Sequence, residues 1–549
     1  MKVGLLGNTY HPINNTGLVT GFLTASCDLM DGFLRHAKAD KLVCLYEPGQ
    51  YQEVKLQEMA RISGMEERIQ MVSEYDLLFH GTSLMPEVDI LHSVKEDAIP
   101  LLALRESIGK PIPITYTVHS LAEQHLLLDT FLPTLFLPFK PYDAIICTSE
   151  SVRSTIREVL NRCQDILARN LGDQVRNRPM IRLEKVPLGI DTDYFSPRDR
   201  AAGRDTYHIP QDAFVILWFG RFSDLFKADL YPLLHVFHQL LRKNPSKKLR
   251  LILAGCGDSV SNYETTLRKQ IDYFHFGETV QILPSREIFD RAALYSACDV
   301  FTSPVDNIQE TFGLTPIEAM ACGVPQVVSD WDGYRDTVVD GETGFLIPTL
   351  WADCMDDVAG ADYLPLDPRH RRLLQRHLAI RSVAVDCGIY EEKLQYLLDH
   401  PEICAEMGRA SRQRAESCFS LKNTVEETER VWEGLLRIAE ESPGVFVPDG
   451  IPMLDYCKDF RSYPTQMLGD DVSFTLTPHG RETPVSHLPQ YRIFLKYAEE
   501  AAMPQEIVAF LSSAPGSVGQ FHDANSRYTL SQIRRSFLFL KKYGMIHEC

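Results

Sequence analysis

Several features are scarce in this sequence, and each shortage narrows the reading. Its 13 cysteines are scattered, odd in number and form no CxxC pair, so no disulfide framework is expected and the compartment reads as reducing. No stretch has an uninterrupted apolar run long enough to span a bilayer. The start, Met1-Lys2-Val3-Gly4-Leu5-Leu6-Gly7, lacks the apolar region and small-residue cleavage site of a signal peptide, which points to the cytoplasm. Positive charge is in deficit: 56 Lys+Arg against 74 Asp+Glu leave a net charge of −18. That argues against whole-surface nucleic-acid binding, though a local basic patch stays open. There is no repeat of 20–50 residues and no low-complexity tract. What is present is ordinary for a globular chain: 44% hydrophobic and 24% charged residues over 549 positions. This excludes a disordered, collagen-like or coiled-coil protein, and at about 150 residues per domain it suggests three to four domains.

Short apolar runs alternate with helix-patterned stretches from the start. Val3–Leu6 and Leu42–Tyr46 read as strands, and further runs follow at Leu77–His80, Val88–His92, Ile114–Val118 and Ala144–Cys147. Strands alternating with helices imply βαβ units and a parallel sheet. The series ends near Leu183–Asp191, and a polar stretch, Ser196–Gln211, reads as a linker. A second series begins with Phe214–Phe219 and continues at Leu249–Ala254, Thr279–Leu283, Val300–Thr302 and Gln326–Val328. Two doubly wound units facing each other make a cleft at the carboxyl ends of their strands, where ligands bind in such sheets. The expected domains are 1–195, 205–440 with an insertion at about 351–385, and a small accessory module at 450–549.

The segment Ser303–Pro325 is the richest in chemistry. Thr315 as cap, Pro316 at the first helical position and Glu318 three after the cap make a capping box, and Gly323 with Pro325 ends the helix. A short helix opening after a Gly-containing loop offers free N–H groups and a positive dipole end, suited to a diphosphate. Glu318 could serve the cap alone and Glu310 could be a solvated acid. Flanking Phe312-Gly313-Leu314 together, they are better explained as binders of sugar or ribose hydroxyls around a phosphate.

Glu310 and Glu318 match the E-x7-E signature of retaining GT-B glycosyltransferases, and their surroundings resemble glycosyltransferase family 4. The resemblance extends to other segments in the same order. Pro187–Asp191 is similar to the NGVD linker, with Leu188 in place of Asn; Phe219-Gly220-Arg221-Phe222 with Lys227-Ala228-Asp229 resembles the GR…KG segment, with Ala228 in place of Gly. Leu253–Gly257, Tyr295–Phe301 and Asp340–Leu346 resemble the family's glycine turn, its aaDvfv strand and its closing dG.tG motif. The likeness covers roughly residues 1–440.

It implies a GT-B fold of two facing Rossmann-like domains, with a final helix that can cross back to the first. It also implies a transferase moving a hexosyl group from a UDP- or GDP-sugar, with retention, to an unidentified small-molecule, glycan, lipid or peptide acceptor. Arg221 and Lys227 would hold the donor diphosphate and stabilise the departing charge. Backbone N–H groups of Phe312, Gly313 and Leu314 would assist, Glu318 would bind the ribose and Glu310 the transferred sugar. In the first domain, His119, in Thr117-Val118-His119-Ser120, matches the family's strand-end histidine, which would touch the donor sugar or phosphate near the acceptor, and Gly17 is the plausible match to its glycine loop. His92, in Asp89-Ile90-Leu91-His92, reads as structural. No DxD-type acidic pair stands at a strand end and no His/Cys ligands cluster, so catalysis without metal or cofactor is expected. No carboxylate is placed as a nucleophile, which favours front-side attack.

The apolar stretches Leu126–Leu128 and Phe131–Phe139 read chiefly as core packing, with an apolar acceptor as the alternative. The basic run Arg369–Arg372 reads as a solvated face before an anionic acceptor or peripheral membrane contact. Beyond residue 450 the resemblance stops. Ile507, Phe510 and Leu511 mark a helix starting near Pro504; Leu530, Ile533, Phe537 and Leu540 mark another, capped by Thr529 or Ser531. These suggest a mainly α helix-turn-helix or winged-helix module. Seven Lys+Arg against five Asp+Glu from Ser486 to Cys549 leave only +2. That favours protein docking or dimerisation over DNA contact through Arg534 and Arg535. The alternative to an enzyme is a catalytically silent GT-B scaffold whose last module recruits a protein or DNA partner. An epimerase or phosphorylase is disfavoured by the E-x7-E context.

Overall fold

The computed structural model describes residues 1–6, 21–46, 50–96, 98–122, 126–257, 262–352, 354, 368–442, 446–489 and 498–549. The chain divides into two compact units, Met1–Ile451 and Pro452–Cys549.

The long unit has two lobes, each built on a parallel sheet. The first sheet takes β1 (Lys2–Leu6), β2 (Lys41–Tyr46), β3 (Ile69–Ser73), β4 (Ile90–Ser93), β5 (Ile114–Val118), β6 (Ala144–Cys147) and β7 (Arg182–Lys185) in the order 3-2-1-4-5-6-7. The second takes β8 (Phe214–Phe222), β9 (Leu249–Gly257), β10 (Val280–Pro284), β11 (Val300–Ser303), β12 (Gln326–Ser329) and β13 (Gly344–Ile347) in the order 10-9-8-11-12-13. Most of these strands are apolar throughout because helices cover both faces of a parallel sheet; Val43, Leu91, Ile114, Leu217 and Leu253 are fully buried. Each sheet reverses its winding between its first strand and the next one laid on the other side, β1/β4 and β8/β11, which places a crevice at the carboxyl ends of both.

One apolar run folds otherwise than its pattern suggests. Leu77–His80 belongs to a helix, Glu74–His80, whose cap Ser73 accepts from the N–H of Tyr75, and the strand position is filled by Ile69–Ser73 instead. Four apolar residues fit either period, and the capping serine decides.

The helix Leu421–Glu441 returns to the first lobe. Its Trp432 stacks on Phe33 at 5.2 Å and donates its indole N–H to Thr115 Oγ1 at 3.0 Å. The same hydroxyl meets His92 Nδ1 at 2.9 Å, and burial pushes that imidazole down to about 3, so His92 is a neutral core group. Where the chain crosses between lobes, Ile190 exchanges backbone hydrogen bonds with Phe419 and Leu421. Gly189 is required there: a Cβ would lie 2.7 Å from the Ser420 carbonyl oxygen.

The insertion is a helix, Pro368–Arg381, between two short antiparallel strands, β14 (Thr349–Trp351) and β15 (Val383–Val385). The side chains of Arg369–Arg372 and the whole of Gly17 lie outside the described residues.

The short unit packs helices Ala498–Ser513, Val518–Ala524 and Leu530–Lys542 against a three-stranded antiparallel sheet, β16 (Ser473–Leu476) between β17 (Gly516–Ser517) and β18 (Ile546–Glu548). Ile507, Leu511, Ile533, Phe537 and Leu540 are buried against Phe474. Thr529, not Ser531, caps the last helix in a capping box with Gln532. Pro504 lies inside its helix rather than at its start. Arg534 is engaged by Asp470, with Nε 2.7 Å from Oδ1.

Candidate functional site

The loop leaving β11 feeds the helix Leu314–Ala321 at the crevice of the second lobe. This helix does not begin as the capping box predicts. Its cap is Gly313, with φ 96° and no side-chain hydrogen bond, and Thr315 lies within the first turn. The reason is close packing: a Cβ on residue 313 would stand 2.3 Å from Tyr334 Cε1, so glycine makes the turn. Glu318 does not reach back to the cap either. Its carboxylate accepts from the Tyr295 hydroxyl at 2.7 Å and pairs with the Arg291 guanidinium. The first N–H groups of the helix have no intrahelical partner and carry its positive end, an arrangement that attracts an anion.

Two cations stand at this crevice. Arg221, near the end of β8, lays its guanidinium 5.4 Å from the centre of the Phe226 ring. Lys227 places Nζ 2.6 Å from Glu310 Oε2, with both side chains mostly buried. Burial pulls the Lys227 ammonium down in pKa, but the Glu310 carboxylate and Tyr334 outweigh it and hold the group charged. The counter-ion of Lys227 is therefore Glu310 itself. Tyr334 is fixed in turn by a 2.9 Å contact between its hydroxyl and Ser303 Oγ. The insertion reaches the same place: the Arg376 guanidinium lies 4.5 Å from the other cation's ring partner, Phe226.

Three carboxyls nearby are pushed up far enough to titrate around neutrality. Burial, then the charge of Glu310, pushes Asp332 up to about 7. Burial, then Asp229, pushes Asp306 up to about 8. Asp28, on the first-lobe helix Gly21–His36, is pushed up to about 7 by burial and then by Glu318.

The first lobe contributes His119, just past β5. Its Nε2 lies 2.7 Å from the Val94 carbonyl, which can only accept, so Nε2 carries the proton. Its backbone N–H donates to Glu96 at 2.6 Å. The two lobes meet here: Thr311 Oγ1 donates to the His119 carbonyl and Gln309 Nε2 to Ser120 Oγ, both at 2.8 Å. His119 thus joins the segment that carries Glu310.

Arg221, Lys227, Glu310, Gly313, Leu314 and Glu318 gather at the second-lobe crevice, with His119 across from them. Phe312 is buried and packs edge-on to Phe419 at 5.9 Å, so only its backbone is available to a ligand. Arg291, Tyr295, Tyr334 and Arg376 belong to the site without having been singled out for it. Arg291 sits 27 positions from Glu318 in sequence, and no local pattern marks it. Among the described residues, no group of three or more His, Cys, Asp or Glu side chains is placed to hold a metal. No described helix is long and apolar enough to cross a membrane.

Two facing doubly wound lobes with this crevice define the GT-B architecture. Residues 199–359 match the family model described as "Glycosyl transferases group 1". A D-inositol 3-phosphate glycosyltransferase of Saccharomonospora viridis is 31% identical over 273 residues, 48% of this chain and 59% of the relative. One from Streptosporangium roseum is 29% identical over 253 residues, 44% of this chain and 54% of the relative. The chain thus spans little more than half the length of these curated relatives. Anabaena HepE, solved in complex with UDP, aligns over 79% of this chain and 100% of its own with a TM-score of 0.52 at 16% identity. A glycosyltransferase from Rickettsia africae aligns over 79% and 98% with a TM-score of 0.51 at 15% identity. At such identities these two show the shared fold.

Proposed function

We propose that the chain is a glycosyltransferase that moves a hexosyl group from a nucleotide-diphosphate sugar to an acceptor, with retention, without a metal and by front-side attack. The observation that carries this reading is the Lys227–Glu310 pair beside the opening of the helix Leu314–Ala321, within the segment that matches the family model. In the proposed cycle the donor diphosphate displaces Glu310 as the partner of Lys227. The phosphates then lie against Lys227, Arg221 and the helix N-terminus, and Glu310 turns to the hydroxyls of the sugar. Glu318 holds the ribose while remaining bonded to Arg291 and Tyr295, since a carboxylate offers about four acceptor sites. The acceptor oxygen bonds to the anomeric carbon on the face the diphosphate leaves. The bond to the phosphate oxygen breaks, and the acceptor proton passes to that oxygen. Cationic groups aimed at the developing charge replace what a metal would supply. The HepE complex with UDP supports a UDP-sugar among the candidate donors. The 13 free thiols support a reducing compartment such as the cytoplasm.

A thermal-shift panel of UDP-, GDP- and ADP-sugars tests the reading. A bound donor at 100 times its Kd stabilises the fold by about 2.7 kcal/mol, and Lys227→Ala removes that shift. A panel in which no nucleotide sugar stabilises the wild type overturns the reading. Binding without transfer to any acceptor, D-inositol 3-phosphate included, would favour the silent scaffold. NMR of the product's anomeric proton tests retention, and an unchanged rate in EDTA tests independence from metal.

A further inference from the structure

A second cavity adjoins the crevice on the first-lobe side. It has a volume of about 260 Å³, and among the described residues that line it seven of nine are apolar, including Leu121, Phe131 and Val159 from the first lobe and Ile308 from the second. The polar ones among them are Thr155 and Arg162. Arg162 is exposed on the helix Glu150–Leu171 and makes no ion pair with a described residue. The position is specific. Leu121 follows Ser120 and Ile308 precedes Gln309, and Ser120 and Gln309 are the pair hydrogen-bonded across the lobes. The cavity therefore begins one residue along the chain from that bond, and Leu121 and Ile308 are each two residues in sequence from His119 and Glu310.

We propose that this cavity is the acceptor pocket and that its acceptor combines an apolar body with an anionic group. "Acceptor" rests on the glycosyltransferase reading above; the chemistry of the ligand rests on the cavity alone. The apolar side chains of the lining reward the removal of apolar surface from water. At about 30 Å³ per water, the volume equals roughly nine waters, room for an aromatic or short alkyl body. Arg162 supplies the complementary charge for a carboxylate, sulfonate or phosphate held outside the walls. The acceptor hydroxyl then faces His119 and the segment of Glu310.

The probe is 1-anilinonaphthalene-8-sulfonate, an aromatic anion that fluoresces on entering an apolar site, titrated into the full chain. The wild type is expected to bind it saturably. Val159→Trp, which fills the cavity, is expected to remove that saturable component. Arg162→Glu is expected to weaken it about fivefold, the effect of reversing one exposed charge. Probe adhering to exposed side chains elsewhere, such as Tyr456 and Tyr463, is common to all three proteins and subtracts out. Thermal shift with UDP, GDP and ADP runs in parallel and is expected to be the same for both variants as for the wild type. Equal saturable binding by wild type and Val159→Trp, or competition by D-inositol 3-phosphate, would overturn the proposal. A nucleotide panel that fails in every protein would overturn the donor reading and leave the result on the cavity standing.

Discussion

The two lobes of the long unit face one cleft with opposite chemistry. The second lobe lines it with charges already paired inside the protein: Lys227 with Glu310, and Arg291 with Glu318 and Tyr295. The first lobe presents a histidine bonded to a backbone carbonyl, and a cavity whose described lining residues are mostly apolar. A charged ligand fits the first set because it can exchange places with an internal counter-ion at little desolvation cost. An apolar body fits the second, with Arg162 left for a charge at its edge. The difference teaches that, on the proposed reading, wall chemistry would sort the two substrates before any contact near the reacting atoms is made.

The largest expected effect comes from removing a cation on the charged side. Lys227→Ala is expected to lower the transfer rate by about 10²–10³-fold, the range for losing one preorganised group at a developing charge. A rate within threefold of wild type would break the comparison at its strongest point. On the other lobe, His119→Ala is expected to lower transfer about tenfold while nucleotide affinity by calorimetry stays unchanged. Equal loss of nucleotide binding would assign His119 to the donor side. Gly313→Ala is expected to destabilise the fold by about 3 kcal/mol in urea unfolding, since the new Cβ meets Tyr334 at 2.3 Å in a positive-φ turn.

How much of this was legible in sequence depends on whether the signal was local. Buried strands such as Phe214–Phe219 and Ile114–Val118 announce themselves because parallel sheets make them apolar throughout. Glu310, Glu318 and Lys227 were legible through their spacing and motif context. The Leu77–His80 run was ambiguous because four residues cannot separate the two periods. The partners of Glu318 were illegible: Tyr295 stands 23 positions away and Arg291 27, brought together only by the fold. The capping box was locally sound, but Tyr334 packing against Gly313 overrode it. Arg376 is brought to the Phe226 ring by an insertion whose sequence alone did not say where it lands.

Smaller effects follow from titration. The Asp306 carboxyl, up at about 8, keeps its proton through a window where the unfolded chain has lost it. The folded state then binds more protons than the unfolded one, so stability falls as pH rises from about 4 to about 8. Asp306→Asn is expected to flatten that decline, visible as a variant Tm that gains on the wild type between pH 5 and 8.5. His92, down at about 3, has the opposite sign: its contribution to stability is lost as pH falls from 6.5 toward 3. His92→Gln is expected to soften acid unfolding in that lower window, as followed by circular dichroism.

The central claim is that Glu310 holds the place of the donor diphosphate on Lys227. Titration calorimetry of free UDP, GDP and ADP into the wild type and Glu310→Gln tests it most directly. With the competing carboxylate gone and no sugar for Glu310 to hold, the preferred nucleotide is expected to bind Glu310→Gln about tenfold more tightly, or about 1.4 kcal/mol. Weaker binding by Glu310→Gln than by the wild type would contradict it.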